Sequence, residues 1–131
     1  MKAELELQVR LCEWLQDNHP TVMFHSDISA GMSLSIGQAV MNKRLQFDKA
    51  MPDIYIFEQR MGYGGLFLEL KALNSQQIKK DGTMGNEAHI VEQRKIHAKF
   101  MQRGYLTDFA IGLEDAKNRV EAYLHNELWR S

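Results

Sequence analysis

The chain has 131 residues, 44% of them hydrophobic, which predicts one domain with an apolar core of its own. Its formal net charge of −1 counts mildly against a nucleic-acid partner, unless bound metal neutralises some of the carboxylates. The single cysteine, Cys12, excludes an internal disulfide and favours a cytoplasmic location, and neither a leader nor a membrane span is visible. The five histidines are scattered without zinc spacing.

Residues 3–18 predict an amphipathic first helix. Its apolar stripe consists of Leu7, Leu11 and Leu15. Glu4 falls in the middle of that stripe and Gln8 close beside it, whereas Glu6 falls on the opposite, solvated face. A glutamate within an apolar stripe indicates a functional side chain. The structural alternative is a first-turn glutamate that the helix dipole favours.

The later elements follow from apolar periodicity and from proline and glycine breaks. Residues 73–86 form a long polar loop. Gln93 shares the inward stripe of the helix after this loop, with Ile96 and Phe100. The predicted elements are a strand at 21–25, a helical piece around 37–45, a hairpin within 52–71, a helix at 87–103, a strand at 105–111 and a final helix at 113–128.

The hairpin carries ionisable side chains where a plain core would have apolar ones. Because strand side chains alternate between faces, Glu69 and Lys71 share one face of the second strand. If the hairpin is symmetric about Met61, Asp53 lies opposite Glu69, with Cβ atoms about 5 Å apart. That separation suits two carboxylates holding one divalent cation, although a shifted register or a bulge near the glycines at 62–65 is also open. The structural alternative is a surface ladder of charges.

These residues resemble the PD-(D/E)XK nuclease superfamily, which has Pro-Asp, a hairpin and then Glu-X-Lys. More narrowly, the chain resembles the small stand-alone VRR-NUC form of phages and bacteria. The resemblance covers nearly the whole chain. The matching positions are Glu4, Gln8, Pro52-Asp53, the segment GLFLELKA at 65–72, Gln93, Gly104-Tyr105 and the segment AKNRVEAYL at 116–124.

The resemblance implies an α/β fold with an αβββαβ mixed sheet, flanked by helices and extended by a C-terminal helix. It implies that Asp53, Glu69 and the backbone carbonyl of Leu70 bind Mg²⁺ or Mn²⁺. Lys71 would position the attacking water or stabilise the phosphate. Glu4 would bridge a second metal or hold water in the site. Gln93, and Gln8 further out, would orient water or Lys71.

Three basic groups surround the predicted site, and each by itself is typical of a solvated face. Together they predict phosphate contacts, which would make DNA binding depend on salt. They are Lys43, Arg44 and Lys49 before the hairpin, Lys79 and Lys80 in the long loop, and Lys95, Lys99 and Arg103 on the second long helix.

The resulting interpretation is a metal-dependent DNA endonuclease, a single domain over residues 1–131, selective for branched or Holliday-junction DNA and acting as a homodimer. Junction cutting and dimerisation come from the family resemblance. One alternative is a catalytically silent nuclease-fold module that binds DNA or recruits other proteins. Another is an RNA-processing or restriction-type nuclease on the same fold.

Overall fold

The structure is a computed structural model that describes residues 3–27, 33–73, 85 and 87–129. The predicted element order is observed. The loop predicted at 73–86, apart from its positions 73 and 85, lies outside the described residues. The elements are α1 (Ala3–Asn18), β1 (Phe24–Ser26), α2 (Ile36–Arg44), β2 (Ile54–Ile56), β3 (Leu66–Lys71), α3 (Ala88–Gln102), β4 (Leu106–Ile111) and α4 (Leu113–Leu124).

The described strands form one mixed sheet in the order β1-β2-β3-β4. The first three are antiparallel neighbours, and β4 runs parallel to β3 after the α3 crossover. This arrangement confirms the predicted αβββαβ core with a C-terminal helix. None of the described helices is both long and apolar enough to span a membrane.

The β2–β3 hairpin has the register that symmetry about Met61 predicts. Ile54 pairs with Leu68, which places Asp53 and Glu69 one step further along the ladder. The turn residues Met61 and Gly62 both have positive φ, 54° and 83°, as a type I′ turn requires. Residues 57–59 lie opposite only 64–65, so one extra residue bulges from the first strand and absorbs the offset glycines.

The main core lies on one face of the sheet. Leu66, Leu68 and Leu70 of β3 pack there with the apolar stripe of α1 and with Val120 and Tyr123 of α4. These side chains alternate with the charged ones because successive strand residues point to opposite faces. The charged face of β3 therefore lies on the other side of the sheet, where α3 packs.

That second face begins with an aromatic cluster. The centroid of the Phe67 ring lies 5.1 Å from that of the Phe100 ring of α3 and 4.9 Å from that of the Tyr105 ring. Edge-to-face and stacked aromatic pairs of this kind add about 0.5–1.5 kcal/mol beyond their area burial. The cluster fixes α3 over β3, directly beside the charged residues that continue the same strand face.

Two predicted boundaries were wrong. The first strand begins at Phe24, since the residues after Pro20 form a turn in which the Val22 amide donates to the His19 carbonyl (3.0 Å). The last helix ends at Leu124 and does not reach residue 128. Asn126 has φ 61°, and the Glu127 amide donates back to the Ala122 carbonyl (2.8 Å), which closes the helix with a Schellman-type cap.

Candidate active site

A polar cavity of about 400 Å³ lies at the end of the charged face of β3. It is bounded by the first turn of α1, the β2–β3 hairpin, α3 and the segment from α2 to β2. All five predicted catalytic side chains line it, so the structure brings them into one place. The lining residues are Glu4, Asp27, Asn42, Gln46, Lys49, Met51, Asp53, Glu69, Lys71, His89 and Gln93.

Asp53 and Glu69 form a buried carboxyl pair at the base of the cavity, with side chains 5% and 4% exposed. The backbone N–H of Leu70 donates to Asp53 Oδ2 at 2.7 Å, which holds that carboxylate in place. Burial raises the pKa of both groups. The pKa of Glu69 lies well above its usual range for two further reasons. Its protonated form donates a hydrogen bond to Asp53, and its ionised form is repelled by the negative charge of Asp53.

The pair fits a divalent cation with oxygen ligands. Glu69 Oε1 and, across the cavity, Gln93 Oε1 are buried with no hydrogen-bond partner within the structure. A buried carboxylate oxygen without a donor is costly, and a cation would satisfy it. Among the described residues, no three His, Cys, Asp or Glu side chains come together as a metal site. Two carboxylates, a backbone carbonyl and water match the preference of Mg²⁺.

Lys71 lies two residues beyond Glu69 on the same strand face and is 3% exposed. Its positive charge lowers the pKa of Glu4, Asp53 and Glu69, against the larger effect of burial. One buried ammonium thus faces three carboxyl groups. This arrangement offsets part of the cost of burying each charge and leaves the cluster net acidic without a metal.

The two glutamates of the first turn of α1 behave as helix phase predicts. Glu4 is half-buried and lines the cavity, and its pKa is raised by burial and also responds to the charges of Lys71 and Asp53. Glu6 is exposed and forms an i,i+4 ion pair with Arg10 at 2.9 Å. The phase of α1 is fixed by the leucines on its buried stripe. Packing of that stripe therefore carries Glu4 to the site.

Gln8 acts on the backbone of the site. Its side-chain Nε2 donates to Ser26 Oγ (2.6 Å), to the Asp27 carbonyl (2.6 Å) and, at 3.4 Å, to the Asp53 carbonyl. Ser26 Oγ donates to the same Asp53 carbonyl at 2.9 Å. Gln8 thus ties α1 to β1 and to the start of β2, and it positions Asp53 through the main chain. Gln8 does not line the cavity described above.

Gln93 lies on the inward face of α3 and enters the cavity, one turn before His97. His97 is buried against Phe109, with ring centroids 4.9 Å apart, and burial lowers its pKa to about 4. Thr107 Oγ1 donates to the His97 carbonyl at 3.1 Å. His97 therefore stays neutral and belongs to the packing between α3 and β4.

The predicted basic residues lie in different parts of the structure, and only some of those that it describes line the candidate active site. Lys49 lines the active-site cavity, and Lys43 lines the cavity next to it. Arg44 is exposed at the end of α2. Lys95 pairs with Glu92 at 3.3 Å on the outer face of α3. Lys99 and Arg103 line a separate groove further along α3, while Lys79 and Lys80 lie outside the described residues.

Sequence reasoning missed part of the cavity wall. Asn42 and Gln46 reach it from α2 and the turn that follows, while Asp27 reaches it from the position directly after β1 and His89 from α3. Asn42 and Gln46 are four residues apart, the spacing of one helix face. That spacing was the available signal, but this region carries no apolar stripe that would have oriented it.

No family model matches the chain, and no curated protein does. A solved structure described as a "VRR_NUC domain protein" matches over 99% of this chain and 94% of that chain, with a TM-score of 0.69 and 18% sequence identity. The protein thus has the fold of a VRR-NUC domain, a PD-(D/E)XK-like mixed sheet flanked by helices. The predicted resemblance is confirmed at the level of the fold.

Proposed function

We propose that the protein is a divalent-metal-dependent DNA endonuclease. One observation carries this proposal: the buried Asp53–Glu69 pair has an unpartnered carboxylate oxygen and lies beside Lys71 in a polar cavity. A purely structural pair would have its oxygens satisfied by donors. The shared fold with a VRR-NUC domain protein supports the same interpretation.

Asp53, Glu69 and the backbone carbonyl of Leu70 would hold Mg²⁺ or Mn²⁺. The cation would neutralise phosphate charge, lower the pKa of water and stabilise the leaving oxygen. Because the Leu70 N–H donates to Asp53 Oδ2, that carboxylate is held in one orientation beside Glu69.

Lys71 and Gln93 would position the attacking water, and Lys71 would also stabilise the charge that develops on the phosphate. The Lys71 ammonium favours hydroxide over water as the nucleophile and stabilises the negative charge that develops on the phosphate in the transition state. The free oxygen of Gln93 accepts a hydrogen bond from water and orients it. Glu4 sits above the same cavity, where it would hold a second cation or accept a proton from water.

The substrate is proposed to be branched DNA and the active form a homodimer. Lys49 at the mouth of the cavity and the exposed cations of α3 would contact phosphates on either side of the scissile bond. Branched substrates and a two-fold partner follow from the family resemblance, since a two-fold symmetric junction suits a two-fold symmetric protein.

The test is cleavage of a panel of fork, flap, Holliday-junction, single-stranded and duplex DNA, with Mg²⁺ or Mn²⁺ and with EDTA. Wild type should cut at least one branched substrate only when metal is present. Asp53→Asn should abolish cutting, while Asp17→Asn, on the exposed face of α1, should not. Metal-dependent cleavage by purified Asp53→Asn at the wild-type rate would refute the assignment. Tight binding without any cleavage would favour the silent binding module.

A further inference from the structure

A second groove, of about 320 Å³, lies beside the active-site cavity, between α3 and the segment that joins α2 to β2. Its size is at the lower end of the range of about 300–1,000 Å³ that is typical of small-molecule sites. Met51 lines both the groove and the cavity, so the two are immediate neighbours. The groove is lined by Phe47, Met51, Ile96, Lys99, Phe100 and Arg103.

The groove has two aromatic walls of different kinds. Phe100 is held by its ring contacts with Phe67 (5.1 Å) and Tyr105 (6.0 Å). Phe47 is 75% exposed, and within the described part of the chain its ring stacks on no other aromatic ring. Leaving so large an apolar side chain in water forfeits the burial free energy it would gain against a ligand. The two rings thus form one fixed wall and one open wall.

Cations lie along the α3 side of the groove. Lys99 and Arg103 are one helical turn apart and exposed, and Arg103 Nη1 donates to the Lys99 carbonyl at 2.9 Å, which restrains the guanidinium. Neither has an ion pair with a carboxylate among the described residues. An apolar slot with aromatic walls and a cationic edge complements one nucleotide, whose base is flat and apolar and whose phosphate is anionic.

From this geometry we infer that the groove binds one unpaired nucleobase, belonging to the nucleotide next to the scissile phosphate. The inference rests on the proposed function and names its substrate feature. A base that is paired and stacked in a duplex must be unstacked to enter, whereas an unpaired base enters without that cost. The groove thus selects DNA with an unpaired nucleotide beside the cleavage point, such as a flap, fork or bulge, over fully paired duplex.

The first measurement compares an unpaired nucleotide with an abasic nucleotide at the same position, in otherwise identical DNA. Wild type should cut the DNA that retains its base more efficiently, and Phe47→Ala should lose the difference. Because stacking on an aromatic side chain is worth about 5- to 150-fold per base, the loss in kcat/KM should fall in that range. Phe47→Leu, which keeps apolar bulk without the ring, should lose most of the effect.

The matched control is Leu45→Ala. Leu45 is as exposed as Phe47, at 76%, and belongs to the same segment but does not line the groove. This variant should keep the wild-type preference for the retained base. The readout independent of cleavage is 2-aminopurine at the unpaired position, with EDTA present. Its fluorescence should be quenched by wild type and by Leu45→Ala, and not by Phe47→Ala.

The outcomes separate the two proposals. Quenching that depends on Phe47, without cleavage of any substrate, would keep the base-binding groove and overturn the nuclease. Cleavage of branched DNA with equal rates for retained and abasic nucleotides would keep the nuclease and overturn the groove. If Phe47→Ala instead shifts the oligomeric state in light scattering and leaves base discrimination unchanged, a second copy of the chain occupies the groove and the inference is wrong.

Discussion

Replacing Asp53 by asparagine tests whether the Asp53–Glu69 pair serves to bind metal and does not stabilise the metal-free fold. The substitution keeps size and shape, and its amide oxygen can still accept from the Leu70 N–H. It removes one of two buried acidic groups that face each other across the hairpin. Stability without metal should therefore hold or rise, while the response to metal should shrink.

The metal-free gain follows from two opposing contributions. At the separation of about 5 Å that is typical of cross-strand Cβ atoms, two ionised carboxylates would repel by about 3 kcal/mol at an effective dielectric constant of about 20. The hydrogen bond from Leu70 weakens by about 1 kcal/mol when its acceptor loses its charge. The pair relieves part of the repulsion by holding a proton, since the pKa values of both groups are raised by burial. The net expected gain is therefore about 0–2 kcal/mol.

Metal should reverse the order of the two proteins. A cation at about 100 times its Kd stabilises the folded wild type by about 2.7 kcal/mol. For a domain of this size, that corresponds to a Tm rise of roughly 10 °C. Asp53→Asn should gain much less, because it lacks one ligand charge. The variant should thus melt at or above wild type in EDTA and below it in Mg²⁺ or Mn²⁺.

The assay is thermal unfolding by circular dichroism, with EDTA and across a metal titration, using Asp17→Asn as the exposed-carboxylate control. A pH series in EDTA tests the direction in which stability changes with pH. At the carboxyl pair the folded state holds protons more tightly than the unfolded state, so the contribution of this pair to stability should fall as pH rises from the unfolded pKa through the raised pKa of Glu69. Asp53→Asn should show a smaller fall. A metal response equal to that of wild type would refute the reasoning.

The other predictions concern four further features. Glu4→Gln should lower cleavage by about 10- to 100-fold, whereas Glu6→Gln should leave it near wild type; the reverse result would mean that Glu4 has no part in the site. Lys71→Ala should abolish cleavage, lower metal-free stability slightly and leave DNA binding within a few-fold in a gel-shift assay, because the remaining cations hold the phosphates. Light scattering should give a dimer at micromolar concentration, and a fully active monomer would contradict that. His97 has its pKa lowered to about 4 by burial, so its own contribution to stability should be lost, by up to about 3 kcal/mol, as pH falls from roughly 6.5 to 4; denaturant titrations should therefore show the stability of wild type relative to His97→Gln decreasing over that range.

The sequence by itself determined which ionisable and amide side chains of β3, α1 and α3 would point to the candidate site. In a strand the side-chain period is two, so Glu69 and Lys71 had to share a face once β3 was identified. Helix phase likewise placed Glu4 and Gln93 on the inward faces of α1 and α3, because the apolar stripe of each helix must face the core. These are local rules, and the structure places all of these residues around one cavity.

Only the tertiary structure decided what Gln8 and the segment between β1 and β2 do. Gln8 sits on an inward face like Glu4, yet its amide meets backbone carbonyls of β1 and β2, an outcome that depends on how the sheet edge packs against α1. None of the residues of α2 is buried, so no apolar stripe could orient it from sequence.

The groove beside Met51 depends on tertiary structure for the same reason. Phe47 and Phe100 lie far apart in the chain and belong to segments with no shared period. Their proximity arises because the aromatic cluster around Phe67 fixes α3 against β3, while the hairpin register fixes the segment before Pro52. Periodicity reports the direction of a side chain within one element, and only packing between elements reports which side chain it meets.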